Sequence, residues 1–381
     1  MDINEISQKD TVGEVDLGIK VSVVMPIYNA VEYLAEAIDG VLCQTLRDIE
    51  LICVDDGSTD GSFEVIKEKQ VQDKRVRIVT ENNAGPSVAR NKGLARARGE
   101  YVIFLDADDL FDKTLLERLY NLAVKKKLDI AVVKYDLYNN ATGKFYPKIE
   151  SEHGELLDGG RVISKSDHPD RIFQSMTGYV WNKLFKRSFL SEKNIQFHPD
   201  LYVFEDVYFV CAALSLAERV GKENRLLVHH RIYSEQSRAK LFRKYYAQVP
   251  EVYEKLLEFL MSNGMYLPLK RSYLNLSASR CYKIYNLLWQ EAKGEFYGMY
   301  HEKYAEAFGW AKASPEELES AEVRDFVANV LLYSHEQYLD RVDKGLTPRS
   351  DRVEKRVKKK HLRKRTKDFF ARIFGKRRKG E

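Results

Sequence analysis

Between Lys20 and about Tyr135 the chain alternates short apolar runs with segments whose apolar residues recur every three or four positions. Val21 to Met25, Ile49 to Val54, Val76 to Val79, Tyr101 to Leu105 and Asp129 to Lys134 read as strands. Val31 to Gln44 carries apolar residues at 31, 34, 37, 38, 41 and 42, the spacing of one helical face. Further helices are expected at Gly61 to Val71, with Ser58, Thr59 or Asp60 as cap, from Gly85-Pro86 to about Arg98, and at Asp112 to Lys126. Repeated strand–helix units of this kind fold into an α/β, Rossmann-like, mostly parallel sheet flanked by helices on both faces.

Two acidic stretches follow two of these strands: Asp55-Asp56-Gly57-Ser58-Thr59-Asp60-Gly61-Ser62, and Asp106-Ala107-Asp108-Asp109. In open α/β sheets ligands bind outside the carboxyl ends of the strands, so both clusters are expected at one rim. The carboxylates of Asp106, Asp108 and Asp109 repel one another unless a cation sits among them. Hard oxygen donors beside a phosphate suit Mg²⁺ or Mn²⁺. Either stretch alone is ordinary: the first is a good strand-to-helix turn, and a DxD triplet is short enough to occur by chance. Their order and spacing on successive strand–helix units carry the information.

Beyond Tyr135 the pattern weakens. Residues 136–177 read as a partly irregular insertion, Val180 to Phe185 as a strand, Glu205 to Ala217 as a helix and Arg225 to Tyr233 as strand-like. After Arg238 tyrosine, leucine and charged residues recur at helical spacing to about residue 343, so a helical region of several helices is expected. The tyrosines beyond residue 245 read as packing between those helices.

Charge is unevenly distributed. The chain carries a formal +5, but residues 353–381 hold 14 Lys and Arg against three acids, which leaves the body mildly acidic. Leu362, Phe369, Phe370, Ile373 and Phe374 punctuate the basic tail, the last four at helical steps. That pattern suits an interfacial helix on an anionic membrane, against the plainer readings of a solvated tail or a helix docked on the acidic body. The body offers no second basic face, so no nucleic acid is expected. No apolar run reaches the roughly 18 to 20 residues of a membrane span, and Met1 to Asp16 is polar and acidic, unlike a secretory signal. Cys43, Cys53, Cys211 and Cys281 are widely spaced inside apolar stretches, which points to buried thiols in a reducing compartment and not to zinc.

Four stretches in residues 21–135 together resemble the nucleotide-sugar-binding half of family 2 glycosyltransferases of GT-A fold, of the kind that builds bacterial cell-surface polysaccharides. They are Val23-Val24-Met25-Pro26-Ile27-Tyr28-Asn29, the Asp55 segment, Gly85 to Gly93, and Leu105 to Asp109. Looser likeness continues through Val180 to Phe185 and Phe204-Glu205-Asp206. The resemblance implies inverting, metal-dependent transfer from a UDP-sugar to a hydroxyl of a cell-surface glycan or lipid-linked acceptor. It implies Pro26 and Tyr28 in the base pocket, Asp56 on the uracil edge with Asp55 beside it, and Asn82 and Arg90 as further nucleotide contacts. It implies Asp106 at the ribose and Asp108 as the direct ligand of Mn²⁺ or Mg²⁺, with Ala107 between them. Asp206 matches the general base, Glu205 an orienting acid; a bare helix-start role is the plainer alternative for both. Arg231 is expected at the diphosphate, helped by Ser237. His229 and His230 read as surface or packed residues before metal ligands, and Trp181 as either a sugar platform or a core ring.

The expected organisation is a leader at 1–19, a GT-A catalytic domain at 20–238 with halves at 20–135 and 136–238, a helical region at 239–350 and a basic tail at 351–381. The expected location is the cytoplasm, at the inner face of the cell membrane. A sugar nucleotidyltransferase would need a glycine-rich basic loop where Pro26-Ile27-Tyr28-Asn29 stands. A nucleic-acid-binding protein rests on the tail alone, and a non-catalytic sugar-nucleotide binder would not need the full set of carboxylates.

Overall fold

A computed structural model describes residues 18–147, 153–232 and 245–346. Most of the expected leader, Ser237 and the basic tail lie outside the described residues. The chain divides into two compact units, one from Met1–Asp167 and Ser175–Leu241, the other from His168–Gln174 and Phe242–Glu381.

The first unit is built on one mixed sheet. Its strands are β1 (Val21–Ile27), β2 (Ile49–Asp55), β3 (Val76–Thr80), β4 (Tyr101–Phe104), β5 (Leu110–Phe111), β6 (Ile130–Asn139), β7 (Lys144–Pro147), β8 (Val162–Ile163), β9 (Lys183–Lys186) and β10 (Val220–Ile232). They are ordered β3-β2-β1-β4-β9-β6-β10-β5, with β7 against β6 and β8 against β10. The pairs β1–β2, β1–β4, β2–β3 and β6–β10 are parallel; β9 runs antiparallel to both β4 and β6. Every residue of β2 is buried, which is why Ile49 to Asp55 reads as a mainly apolar run rather than an alternating one, with Glu50 buried on hydrogen bonds from Ser22 and Arg98.

The helices of this unit are α1 (Val31–Leu42), α2 (Ser62–Gln72), α3 (Pro86–Arg96), α4 (Leu115–Lys126), α5 (Arg187–Glu192) and α6 (Glu205–Leu216). α1 buries Leu34, Ala37, Ile38 and Val41. Cys43, one residue past its end, is exposed, where a buried thiol was expected. Asp60 ties two helix starts together: one oxygen accepts Ser62 N–H at 3.1 Å, the other Val31 N–H at 3.0 Å. α3 lies hard against the sheet because Gly93 has no side chain; an added Cβ would meet Val24 Cγ1 at 2.3 Å. That close approach fixes where Arg90, one turn earlier, can reach.

Two departures from the expected elements follow from partners distant in sequence. β10 begins at Val220, well before the expected Arg225, because Val220 to Glu223 pair with Ile130 to Val133 despite their polar composition. β9 begins at Lys183, three residues after the expected Val180, because Val180 to Asn182 form a turn whose polar groups are used elsewhere.

The second unit holds α7 (Val249–Ser262), α8 (Tyr266–Leu287), α9 (Gln290–Met299), α10 (Ala321–Leu332) and α11 (His335–Asp343), with α9 running on through a π turn at Tyr300–Tyr304. Its core is aromatic: Tyr253, Tyr273, Tyr297, Tyr300 and Trp310 are all buried. Three of their polar tips are used within the unit: Tyr273 hydroxyl donates to Tyr253 carbonyl at 3.0 Å, Tyr297 hydroxyl to Tyr333 carbonyl at 3.3 Å and Trp310 Nε1 to Ser277 Oγ at 3.0 Å. Residues 168–174, expected inside the 136–177 insertion, belong here: Phe173 N–H donates to Ser272 Oγ at 2.9 Å and Gln174 Nε2 to Ser272 carbonyl at 2.9 Å. Among the described residues no helix is long and apolar enough to cross a membrane.

Candidate active site

The carboxyl ends of β1, β2 and β4 meet at one rim. Ile27 stands opposite Asp55 in the β1–β2 register, and Leu105 N–H, just past β4, donates to Val24 carbonyl at 3.0 Å. The Asp55 and Asp106 segments are thereby brought side by side.

At the β1–β2 corner, Tyr28 is half exposed and its hydroxyl accepts Asn83 Nδ2 at 3.2 Å, while Pro26 is half-buried at the strand end. Asn29 Oδ1 accepts Thr59 N–H at 2.8 Å, which laces the end of β1 to the loop after β2. Asn82 is exposed on the loop after β3. Asp56, expected at a nucleobase, is held by backbone amides: its two oxygens accept Ala84 N–H at 2.7 Å and Gly85 N–H at 2.8 Å, pinning the turn into α3. Asp55 accepts a longer bond, Ser58 N–H at 3.3 Å.

Arg90, expected at the nucleotide, lies in a cage of three carboxylates. It is buried; Nη2 donates to Asp106 Oδ1 at 3.0 Å, Nη1 donates to Glu205 Oε1 at 2.8 Å and stands 3.4 Å from Asp206 Oδ1. Burial opposes its charge, but the three acids outweigh burial and raise its pKa. One guanidinium thus joins the loop after β4 to the first turn of α6. Phe204, just before that turn, adopts φ 54°, a left-handed conformation costing a bulky residue on the order of 1–3 kcal/mol. It aims Glu205 and Asp206 inward together.

Asp206 Oδ2 accepts Val180 N–H at 3.2 Å. Burial pushes its carboxyl up to about 7, with Arg90 pulling the other way and Glu205 and Asp106 adding to the rise.

Asp106, Asp108 and Asp109 each place a carboxylate oxygen within 4.8 Å of the others. Their oxygen-only donor set fits a hard divalent cation. Asp109 is fully buried and already engaged: its Oδ1 is 2.9 Å from His230 Nδ1 and accepts Arg231 N–H at 2.8 Å. Burial raises the Asp109 carboxyl to about 6, and the His230 contact opposes that rise. Asp109 therefore anchors the loop, and Asp106 and Asp108, both half-buried, are the donors nearer the rim.

Arg231 differs most from expectation. Rather than a cation facing a diphosphate, it is 3% exposed and fully engaged. Nε donates to Asp108 carbonyl at 2.6 Å, Nη2 to Glu36 at 2.7 Å and Nη1 to Asn140, and the guanidinium lies 4.3 Å from the Tyr33 ring centre. It braces the backbone of Asp108 against α1. His229 pairs with Asp136 at 2.6 Å, and His230 stacks on Trp181 with ring centres 5.0 Å apart. Trp181 is buried between His230 and Tyr179 and is a core ring; the outer face of that stack belongs to Tyr179, which is 39% exposed.

Sequence reasoning missed Glu36, Asn140, Tyr179 and Lys183. Only Lys183 carried a local signal: a lysine in an otherwise apolar run, which here is wholly buried.

Residues 22–192 match the family described as Glycosyl transferase family 2. The chain is 33% identical over 218 residues to glycosyltransferase GlyA of Streptococcus pneumoniae, 56% of this chain and 30% of that protein. It is 33% identical over 204 residues to the uncharacterized glycosyltransferase EpsJ of Bacillus subtilis, 52% of this chain and 57% of that protein. The chain therefore spans between about a third and just over half the length of these relatives. Residues 1–349 of S. aureus TarS, solved in complex with UDP-GlcNAc, superpose with a TM-score of 0.65 at 19% identity, covering 86% of this chain and 93% of that one. At that identity the likeness shows the fold.

The sheet, the rim and its loops form a GT-A-like fold. Within it, residues 22–192 match the family 2 glycosyltransferases, and the curated relatives that match the chain are named as glycosyltransferases.

Proposed function

We propose that the chain is a metal-dependent, inverting glycosyltransferase that moves a sugar from a UDP-sugar to a hydroxyl of a cell-surface glycan or lipid-linked acceptor. The observation that carries this reading is the Arg90 cage, in which one buried guanidinium joins Asp106 of the donor side to Glu205 and Asp206 of the acceptor side. The family match over residues 22–192 supports it, as do relatives named as glycosyltransferases, among them a cholesterol galactosyltransferase of Borreliella burgdorferi, 32% identical over 216 residues, 54% of this chain and 58% of that protein. The UDP-GlcNAc held by TarS supports a UDP-sugar donor.

In this reading Pro26, Tyr28 and Asn82 bound the base pocket, and Asp56, held in place by the turn into α3, takes the uracil edge with Asp55 beside it. Asp106 meets the ribose with Ala107 beside it, and Asp106 and Asp108 hold Mn²⁺ or Mg²⁺. When bound, such an ion offsets the negative charge gathering on the departing UDP. Asp206 takes the proton of the acceptor hydroxyl as that oxygen bonds to the sugar's C1 and the bond from C1 to UDP breaks. A carboxyl raised toward neutrality is suited to that task, since a base works best with a pKa near the working pH. Glu205, held by Arg90 at 2.8 Å, orients the site.

The test is slow hydrolysis of a panel of UDP-hexoses and UDP-N-acetylhexosamines with Mn²⁺ or Mg²⁺. Release of UDP from at least one donor is expected; none from any donor would remove the reading.

The basic tail at 353–381 supports association with an anionic membrane surface, which brings a lipid-linked acceptor within reach. Full-length protein is expected to co-sediment with anionic vesicles at physiological salt, and a chain ending at Arg352 to stay in solution. Equal behaviour of the two would remove the membrane contact from the reading.

A further inference from the structure

The carboxylate at the centre of the proposed reaction is held by a turn, and the turn is held by a buried lysine. Residues 177–182 lie against the first turn of α6. Gly178 allows the approach, since an added Cβ would come within 2.7 Å of Val207 Cγ2 and 3.2 Å of Val207 Cα. Two residues on, Val180 N–H donates to Asp206 Oδ2 at 3.2 Å. Lys183, at the head of β9, stands behind this turn with no solvent exposure.

Its ammonium donates three hydrogen bonds, to Thr177 carbonyl at 2.8 Å, Tyr179 carbonyl at 2.5 Å and Asn182 Oδ1 at 2.8 Å. All three acceptors belong to the one turn, and none is a carboxylate. Asn182 in turn donates from Nδ2 to Val133 carbonyl at 2.9 Å, which ties the turn to β6. A buried ammonium is costly in an apolar sheet and is kept only where its donors are needed. Burial draws its pKa down to about 7, and the negative charge that most opposes this is Asp206. The charged groups acting on Asp206 are then Arg90 of α3, Glu205 of α6, Asp106 after β4 and Lys183 of β9.

We propose that Lys183 is a positioning residue for the base: by gathering the carbonyls of Thr177 and Tyr179 it shapes the turn that presents Val180 N–H to Asp206. The inference rests on reading Asp206 as the base. A methionine would fill the volume but would leave two carbonyls without donors.

The test compares Lys183→Met with the unmodified enzyme, using the UDP-sugar that the panel shows to be hydrolysed and UDP as the binding probe. Turnover is expected to fall by about 10- to 100-fold, with the UDP dissociation constant within about twofold, because donor binding uses the rim of β1, β2 and β4. In an Asp206→Asn background the same substitution is expected to cost little more, because its effect runs through Asp206. Unchanged turnover, a loss of UDP binding in step with turnover, or an independent loss in the Asp206→Asn background would each overturn the proposal. Should Lys183→Met not fold, Gly178→Ala strains the same turn from its other side and is expected to reproduce the split; normal turnover there would overturn it as well. If Asp206→Asn itself turns over normally, the reading of the base fails, a result distinct from a failure of Lys183 alone.

Discussion

Asp206→Asn is expected to lower turnover by about 10²- to 10⁴-fold, the usual contribution of a general base, while UDP affinity stays nearly unchanged. The two effects are expected to separate because donor binding uses the rim of β1, β2 and β4, which Arg90 joins to Asp206 without either depending on the base's proton. Asparagine is nearly isosteric and can still accept Val180 N–H, so the first turn of α6 has little reason to move. What it lacks is the ability to take a proton. Glu205 is a poor substitute, since its Oε1 is committed to Arg90 at 2.8 Å. A pH signature accompanies the loss. A base works only when deprotonated, and burial lifts the Asp206 carboxyl to about 7. Turnover of the unmodified enzyme should therefore fall as pH drops through about 7 and level off above it, and the asparagine variant should lose that limb. Calorimetry with UDP and a rate–pH profile measure both; a variant with normal turnover would leave Asp206 as a helix-start acid.

Chelation and Asp108→Asn are each expected to remove about 99% or more of the activity, with Mn²⁺ or Mg²⁺ restoring only the chelated wild type. A divalent ion at a departing diphosphate supplies several kcal/mol of charge stabilisation, and each 1.36 kcal/mol is worth about tenfold in rate. Asp108 is the residue to test because its neighbour is spent: Asp109 is sealed against His230 and Arg231 N–H. The backbone of Asp108 stays braced by Arg231 Nε at 2.6 Å, so the substitution changes the donor and spares the loop. Turnover measured with and without EDTA decides it, and full activity in chelator would exclude a required ion.

Much of the nucleotide half was legible in the sequence. Strands β1, β2 and β4 are almost wholly buried, so each leaves a mainly apolar run, and α1 leaves a clear stripe at 34, 37, 38 and 41. Since such units connect in one hand, the acidic segments after β2 and β4 had to reach the same rim. Local pattern faded where a strand's partner lies far away. Val220 to Glu223 is polar enough to hide a strand, and only its pairing with Ile130 to Val133 makes it one.

By itself, then, the sequence determined the α/β class, the common rim of the Asp55 and Asp106 segments and the family likeness of residues 22–192, because these follow from periodicity and from motifs short enough to be local. Only the tertiary structure decided which charged groups oppose one another. It turned Arg231 inward to hold Asp108, committed Asp56 to the amides of Ala84 and Gly85, closed Arg90 within three carboxylates, and set Lys183 behind the turn that meets Asp206. A buried charge takes its role from partners as much as 195 residues away in the chain, and no local pattern of residue types specifies such a pairing.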